Sequence, residues 1–218
     1  MQTLSDFPNG AVFDAEYFER GRSSGKSWYE NYHWQPQRSF REALAIVDAL
    51  RLDSKSKILD VGCAKGFLVR ALRELEITAD GCDISKYALA HAPKGCWYCG
   101  ELVNWVGKDY THAFAKDVLE HCTPEQLDNT LQAIKMAAPL LMCVVPLGDF
   151  GKYRIPEYHK DVTHIIAENE RWWTDAFIKN GWSIKHATYH LIGIKDNWTR
   201  ETDRKGNAVF LLEKSNVS

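Results

Sequence analysis

The chain has 218 residues, 45% hydrophobic and 26% charged, which suits one well-buried core and is short for two. A formal net charge of −2 excludes a general attraction to nucleic acid or to an anionic membrane surface. No apolar run reaches the roughly 20 residues of a membrane span, and the opening MQTLSDFPNGAVFDAEYFERG lacks the basic and apolar regions of a secretion signal, so a cytoplasmic protein is expected.

Residues 7–34 carry Phe7, Phe13, Tyr17, Phe18, Trp28, Tyr29, Tyr32 and Trp34, too dense in aromatics for a disordered tail. Residues 37–51 then place Phe40, Leu44, Val47 and Leu50 at helical spacing. KILDV (57–61) reads as a buried strand, and GFLVRALRELE (66–76) as a helix with Phe67, Leu68, Ala71, Leu72 and Leu75 on one face. ITADGCD (77–83) is a second strand, CWYC (96–99) a short third and THAFAKD (111–117) a fourth. Thr123 caps the next helix, Pro124 takes its first position and Gln126 completes a capping box; the helix runs to about Ala138. PLLMCVVPL (139–147) is a fifth strand. A helix over 169–180 ends at the C-cap pair Asn180-Gly181. WSIKHATYHLIGI (182–194) and NAVFLLEK (207–214) read as two final strands joined by a charged loop.

The six cysteines sit mostly inside apolar runs, as reduced buried thiols do. Cys96 and Cys99 form a C-x-x-C, but no second Cys or His pair stands nearby to complete a zinc site, so a short aromatic strand is expected there.

Strands alternating with helices indicate an open, mostly parallel α/β sheet, whose ligands sit beyond the carboxyl ends of the strands. GCAKG (62–66) occupies the first strand–helix crossover. Gly62 and Gly66 allow close approach to the backbone, and the helix behind them offers free N–H groups. A phosphate-gripping loop needs G-x-x-x-x-G-K-[ST], and Lys65 precedes the second glycine. A dinucleotide fingerprint needs G-x-G-x-x-G, whereas the small residues here fall at 62, 64 and 66.

Asp60-Val61-Gly62-Cys63-Ala64-Lys65-Gly66 resembles motif I of the class I S-adenosylmethionine-dependent methyltransferases, D-x-G-x-G-x-G, in its small-molecule branch. Asp80-Gly81-Cys82-Asp83-Ile84-Ser85 resembles the next signature, and Lys116-Asp117-Val118-Leu119-Glu120-His121 the D-V-L-E-H stretch after the fourth strand. Gly100-Glu101-Leu102 resembles the segment that meets adenine, and PLLMCVVPL resembles motif III. Ala64 replaces the usual middle glycine, and Lys65 a common Thr or Ser, which leaves the role of Lys65 open. The resemblance implies a Rossmann-like seven-stranded, mostly parallel sheet with helices on both faces and an antiparallel last strand. It implies S-adenosylmethionine as cofactor and S-adenosylhomocysteine as product. Asp60, Gly62, Ala64, Gly66, Asp83, Ile84, Glu101, Leu102 and Asp117 become candidate cofactor-binding residues. Asp83 would accept from the ribose hydroxyls and Ile84 would pack on adenine. Residues 1–36 are then expected to form an aromatic lid over a methyltransferase domain at 37–218, with an insertion at about 146–168 forming a substrate loop.

Methyl transfer from a sulfonium releases a neutral thioether, so alignment and exclusion of water matter most. A base is needed only where the nucleophile must lose a proton. His159, Asp161 and His164 give H-x-D-x-x-H, readable as a base with an orienting carboxylate or as part of a divalent-metal site. His164 is the first candidate base and His121 the next, with Asp161 orienting; no metal ligand set is assigned. The chain lacks the [DN]-P-P-[YF] of exocyclic base methylation and the Pro-Cys of cytosine C5 methylation, and it has 27 basic against 29 acidic residues. A small-molecule acceptor is therefore expected, with a sugar or nucleotide-linked sugar suiting the Trp- and Tyr-rich lid. A protein or peptide acceptor, or an inactive cofactor-binding subunit, is the alternative. Neither a nucleic-acid nor a membrane partner is expected.

Overall fold

A computed structural model describes residues 10–195 and 204–215; Phe7 of the aromatic segment lies outside them. Strands β1 (Lys57–Val61), β2 (Thr78–Asp83), β3 (Cys96–Tyr98), β4 (His112–Lys116), β5 (Leu140–Pro146), β8 (Trp182–Thr188) and β9 (Asn207–Lys214) form one seven-stranded sheet. Its order is β3-β2-β1-β4-β5-β9-β8, and β9 alone runs against its neighbours. This is the expected Rossmann-like arrangement. A short hairpin of β6 (Gly148–Asp149) and β7 (Lys152–Tyr153) lies apart from it.

The near-continuous apolar runs of the central strands follow from burial on both faces. Leu59, Val61, Ala113, Ala115, Leu141, Cys143 and Val145 point into one core, with α5 (Pro124–Ala137) and α6 (Glu170–Lys179). Ile58, Phe114, Met142 and Val144 point into the other, with α2 (Pro36–Leu50) and α3 (Phe67–Glu74). The alternation is the period-2 pleat. The capping box of α5 forms as read: Gln126 N–H donates to Thr123 Oγ1 at 3.2 Å, and Thr123 N–H to Gln126 Oε1 at 2.9 Å. All six cysteines are free, five of them buried.

One reading is corrected. The strand over 182–194 stops at Thr188. A Cβ on Gly193 would meet Ala45 Cβ at 2.7 Å and Arg41 O at 2.9 Å, because the chain leaves the sheet here to lie against α2. Leu191 and Ile194 join the α2–α3 core accordingly. The segment before α2 also contains a helix, α1 (Ala15–Ser24), capped by Asp14 and kinked at Arg20.

α1 packs its Tyr17 and Phe18 on Ala88 of the short helix α4 (Lys86–Leu89), with Tyr29, Tyr32 and Ala64 around them. Polar ties fix this lid. Ser85 Oγ donates to Phe13 O at 2.5 Å, Trp28 Nε1 to Glu157 O at 2.8 Å, and Val162 N–H to Lys26 O at 3.1 Å. The lid thus spans from the end of β2 to the segment after β7.

Candidate active site

The crossover loop is shaped by its backbone. Gly62 has φ +76°, and a Cβ there would lie 2.2 Å from Val118 Cγ2, so the residue must be glycine for β1 and the turn after β4 to meet. Ala64 adopts φ +48° and donates its N–H to Asp83 Oδ2 at 2.7 Å, while Ser85 N–H donates to Asp83 Oδ1 at 2.6 Å. Each oxygen keeps a lone-pair direction for a ligand hydroxyl. Burial raises the Asp83 carboxyl above its usual range although these N–H groups favour its charge.

A cleft opens at the carboxyl ends of β1, β2 and β4. Gly62, Ala64, Asp83, Ile84 and Asp117 line it, together with Cys99, Trp105 and Val118. Its roof is the lid, through Phe13, Tyr17, Phe18 and Tyr29. Five of the sequence-derived cofactor candidates therefore converge. Others do not line it. Asp60 is buried at the end of β1, where burial and then the neighbouring Glu42 push its carboxyl well above the usual range. Gly66 caps α3 with φ +69° and lies against Pro93, its Cβ position 2.6 Å from Pro93 Cδ. Glu101 is exposed at the start of a 3-10 turn, and the side chain of Leu102 lies outside the described residues. Trp105 of the same turn lines the cleft, with Nε1 donating to Cys99 O at 3.1 Å.

Lys65 points away from the cleft. Its Nζ donates to Glu19 Oε1 at 2.5 Å and Tyr32 O at 2.8 Å, between the Tyr32 and Tyr87 rings. Lys65, one of the two departures from the motif, thus ties α1 and Tyr32 to the loop.

Asp117 has φ +56° and joins a half-buried run of alternating charge, Glu42, Lys116, Asp117 and Lys195, with contacts of 3.2, 3.5 and 2.8 Å. Burial opposes ionisation of Asp117, but Lys195 and Lys116 outweigh it and hold the carboxyl well below the usual range.

The other end of the cleft is polar. Asp161 Oδ2 accepts from Tyr17 OH at 2.8 Å, and Oδ1 accepts from the Thr163 hydroxyl at 2.6 Å and the Thr163 N–H at 3.0 Å. With that hydroxyl committed as donor, Thr163 Oγ1 accepts from His121 Nδ1 at 2.8 Å. His164 Nδ1 donates to Tyr158 O at 2.9 Å. The two imidazoles stand edge to face, centroids 4.7 Å apart, and their Nε2 atoms have no hydrogen-bond partner among the described residues. Burial, then the neighbouring His164, lowers His121 to about 4, and burial lowers His164 as well.

The H-x-D-x-x-H group does not assemble as a unit. His159 is exposed and accepts from Tyr153 N–H at 3.1 Å, holding the hairpin. Asp161 reaches His121 through Thr163, because its carboxylate caps its own turn. Glu120, absent from the candidates above, is fully buried beside the histidines, with Oε1 3.9 Å from His164 Nε2. Its position next to His121, just after a strand, was the available signal.

No protein-family model and no curated protein sequence matches the chain. Solved structures do. The putative methyltransferase complexed with the Haloferax volcanii Trm112 methyltransferase activator has TM-score 0.63 and 15% identity, covering 84% of this chain and 92% of that one. A SAM-dependent methyltransferase from Archaeoglobus fulgidus has TM-score 0.59 and 15% identity over 80% and 94%. Magnesium protoporphyrin IX methyltransferase from Synechocystis PCC 6803 with bound SAM has TM-score 0.55 and 15% identity over 83% and 80%. The chain has the class I S-adenosylmethionine-dependent methyltransferase fold.

Proposed function

We propose that the protein transfers a methyl group from S-adenosylmethionine to a small-molecule acceptor. One observation carries the reading: a buried carboxylate, Asp83, stands at the end of β2 with its oxygens oriented by backbone N–H groups, beside Ile84 and the Gly62–Ala64 turn. That donor set fits the cofactor. Asp83 would accept from the ribose hydroxyls, Ile84 and Trp105 would border the adenine, and the Gly62 turn would lie along the chain that carries the sulfonium. The bound cofactor supplies an electrophilic methyl. The chain's contribution is to align the acceptor behind it and to exclude water, for which an aromatic roof is suited.

The acceptor would enter at the His121 end, where the Asp161–Thr163–His121 chain and His164 form the polar wall. His121 and His164 are the groups placed to meet an acceptor hydroxyl, and Asp161 positions His121 through Thr163. A roof made by the chain's own lid favours a small acceptor, such as a sugar or nucleotide-linked sugar, over a protein side chain, which needs an open groove. A net charge of −2 favours it over nucleic acid. Among the described residues no helix is long and apolar enough to cross a membrane.

The test is methyl transfer from radiolabelled S-adenosylmethionine to separate pools of hydroxylated small molecules, peptides and RNA. Label in the first pool alone is expected. Label confined to peptides or RNA would refute the acceptor class.

A further inference from the structure

We propose that Glu120, His121 and His164 form a divalent-cation site at the acceptor end of the cleft; this rests on the functional reading above and specifies how the polar wall works. One carboxylate oxygen and one ring nitrogen from each histidine lie within 4.8 Å of one another, a spacing that a single ion can draw together. The independent observation is Glu120 itself. Its side chain is fully buried, and neither carboxylate oxygen has a hydrogen-bond partner among the described residues. A buried carboxylate in that condition is strongly unfavourable unless it is neutralised.

The surroundings are arranged for ligation. A histidine that binds a metal through one ring nitrogen usually donates its other N–H to a carbonyl or a carboxylate-linked group. Both do so here. His164 Nδ1 donates to Tyr158 O, and His121 Nδ1 donates to Thr163 Oγ1, which in turn donates to Asp161. Each Nε2 is left as a lone pair. Two imidazoles and one carboxylate suit a borderline divalent ion such as Zn2+, Mn2+ or Co2+ better than Mg2+ or Ca2+, which prefer oxygen. Three protein ligands leave coordination positions open, and acceptor oxygens would fill them. The class of acceptor this selects carries a hydroxyl beside a second oxygen donor, able to chelate the ion.

The test uses the full chain, stripped with EDTA, desalted and titrated with Co2+ while the visible d–d bands are followed. Parallel calorimetry uses Zn2+ and Mn2+. One equivalent is expected to bind with a Co2+ spectrum of nitrogen–oxygen ligation and to raise the melting temperature. Glu120→Gln and His164→Ala should each weaken binding about 100-fold or more, and Thr163→Val about 10- to 100-fold through loss of ring orientation. S-adenosylhomocysteine binding by each variant reports whether the fold and cofactor cleft persist. Absence of stoichiometric binding in a folded wild type overturns the proposal, as does a Glu120→Gln variant that binds the ion unchanged. Ion binding without S-adenosylhomocysteine binding would instead support the metal site and refute the cofactor reading.

Discussion

Lys65→Met isolates the lid. The ammonium donates to Glu19 Oε1 at 2.5 Å and Tyr32 O at 2.8 Å, and its side chain is only 10% exposed. Burial opposes ionisation of Glu19, yet hydrogen bonds from Lys65 and Tyr87 outweigh it and hold the carboxyl below its usual range. Hydrogen bonds to a charged group contribute about 1.5–3 kcal/mol each, and Glu19, 28% exposed, is partly screened, so the lower end applies to that pair. Methionine keeps most of the packing against Tyr32 and Tyr87. The net loss on lid docking is about 2–3 kcal/mol, which raises the undocked population roughly 30- to 150-fold. Native-state hydrogen exchange should show lid amides such as Arg22 and Tyr32, bonded to Tyr29 O and Phe18 O, losing protection by that factor. Amides of β1 and β4 should be unchanged, and S-adenosylhomocysteine should bind more weakly. Lid protection equal to wild type would refute the pinning role of Lys65.

Gly62→Ala combines a positive φ with a 2.2 Å approach to Val118, so denaturant melts should show a loss of about 2–4 kcal/mol and calorimetry no cofactor-product binding. Wild-type binding by this variant would contradict the geometry of the loop. Lys195→Met removes the nearest cation of Asp117 and should cost about 2 kcal/mol in urea unfolding, between an exposed and a fully buried pair, because the side chains are 17% and 25% exposed and Lys116 remains at 3.5 Å. A loss below about 1 kcal/mol would make the pair equivalent to a surface contact. Arg154 grips Asp149 and Glu170 through paired hydrogen bonds of 2.7–3.0 Å, and these hold Glu170 at about 2. Because that folded pKa is depressed, the stabilisation is complete above about pH 4.5 and is lost as pH falls towards about 2. Arg154→Met should therefore be less stable than wild type by about 1–2 kcal/mol at pH 6, with the gap narrowing between pH 4.5 and 3. A gap independent of pH would remove Glu170 from the explanation.

The central strands and the crossover loop were legible because burial on both faces leaves uninterrupted apolar runs, and because Gly62 and Gly66 mark backbone turns that few residues allow. The helix α5 was legible from its caps alone. α1 was not, since Gly21, Ser23 and Ser24 give it little intrinsic helicity and the core positions Tyr17 and Phe18 make sense only against α4. The 182–194 run was over-extended because alternating residues cannot reveal that Gly193 lets the backbone close on α2. At the polar end, spacing paired Asp161 with His159 and His164, but its carboxylate turns back on Thr163 and so reaches His121. Glu120 reads as the tail of a motif; only packing reveals a carboxylate without a hydrogen bond among the described residues.

The β1–β2 cleft is expected to hold S-adenosylmethionine through Asp83. Calorimetric titration of the purified chain with S-adenosylhomocysteine, with NAD as control and Asp83→Ala as variant, tests it most directly. Binding of the first ligand alone, abolished in the variant, is expected. Tight NAD binding, or S-adenosylhomocysteine binding undiminished by Asp83→Ala, would contradict it.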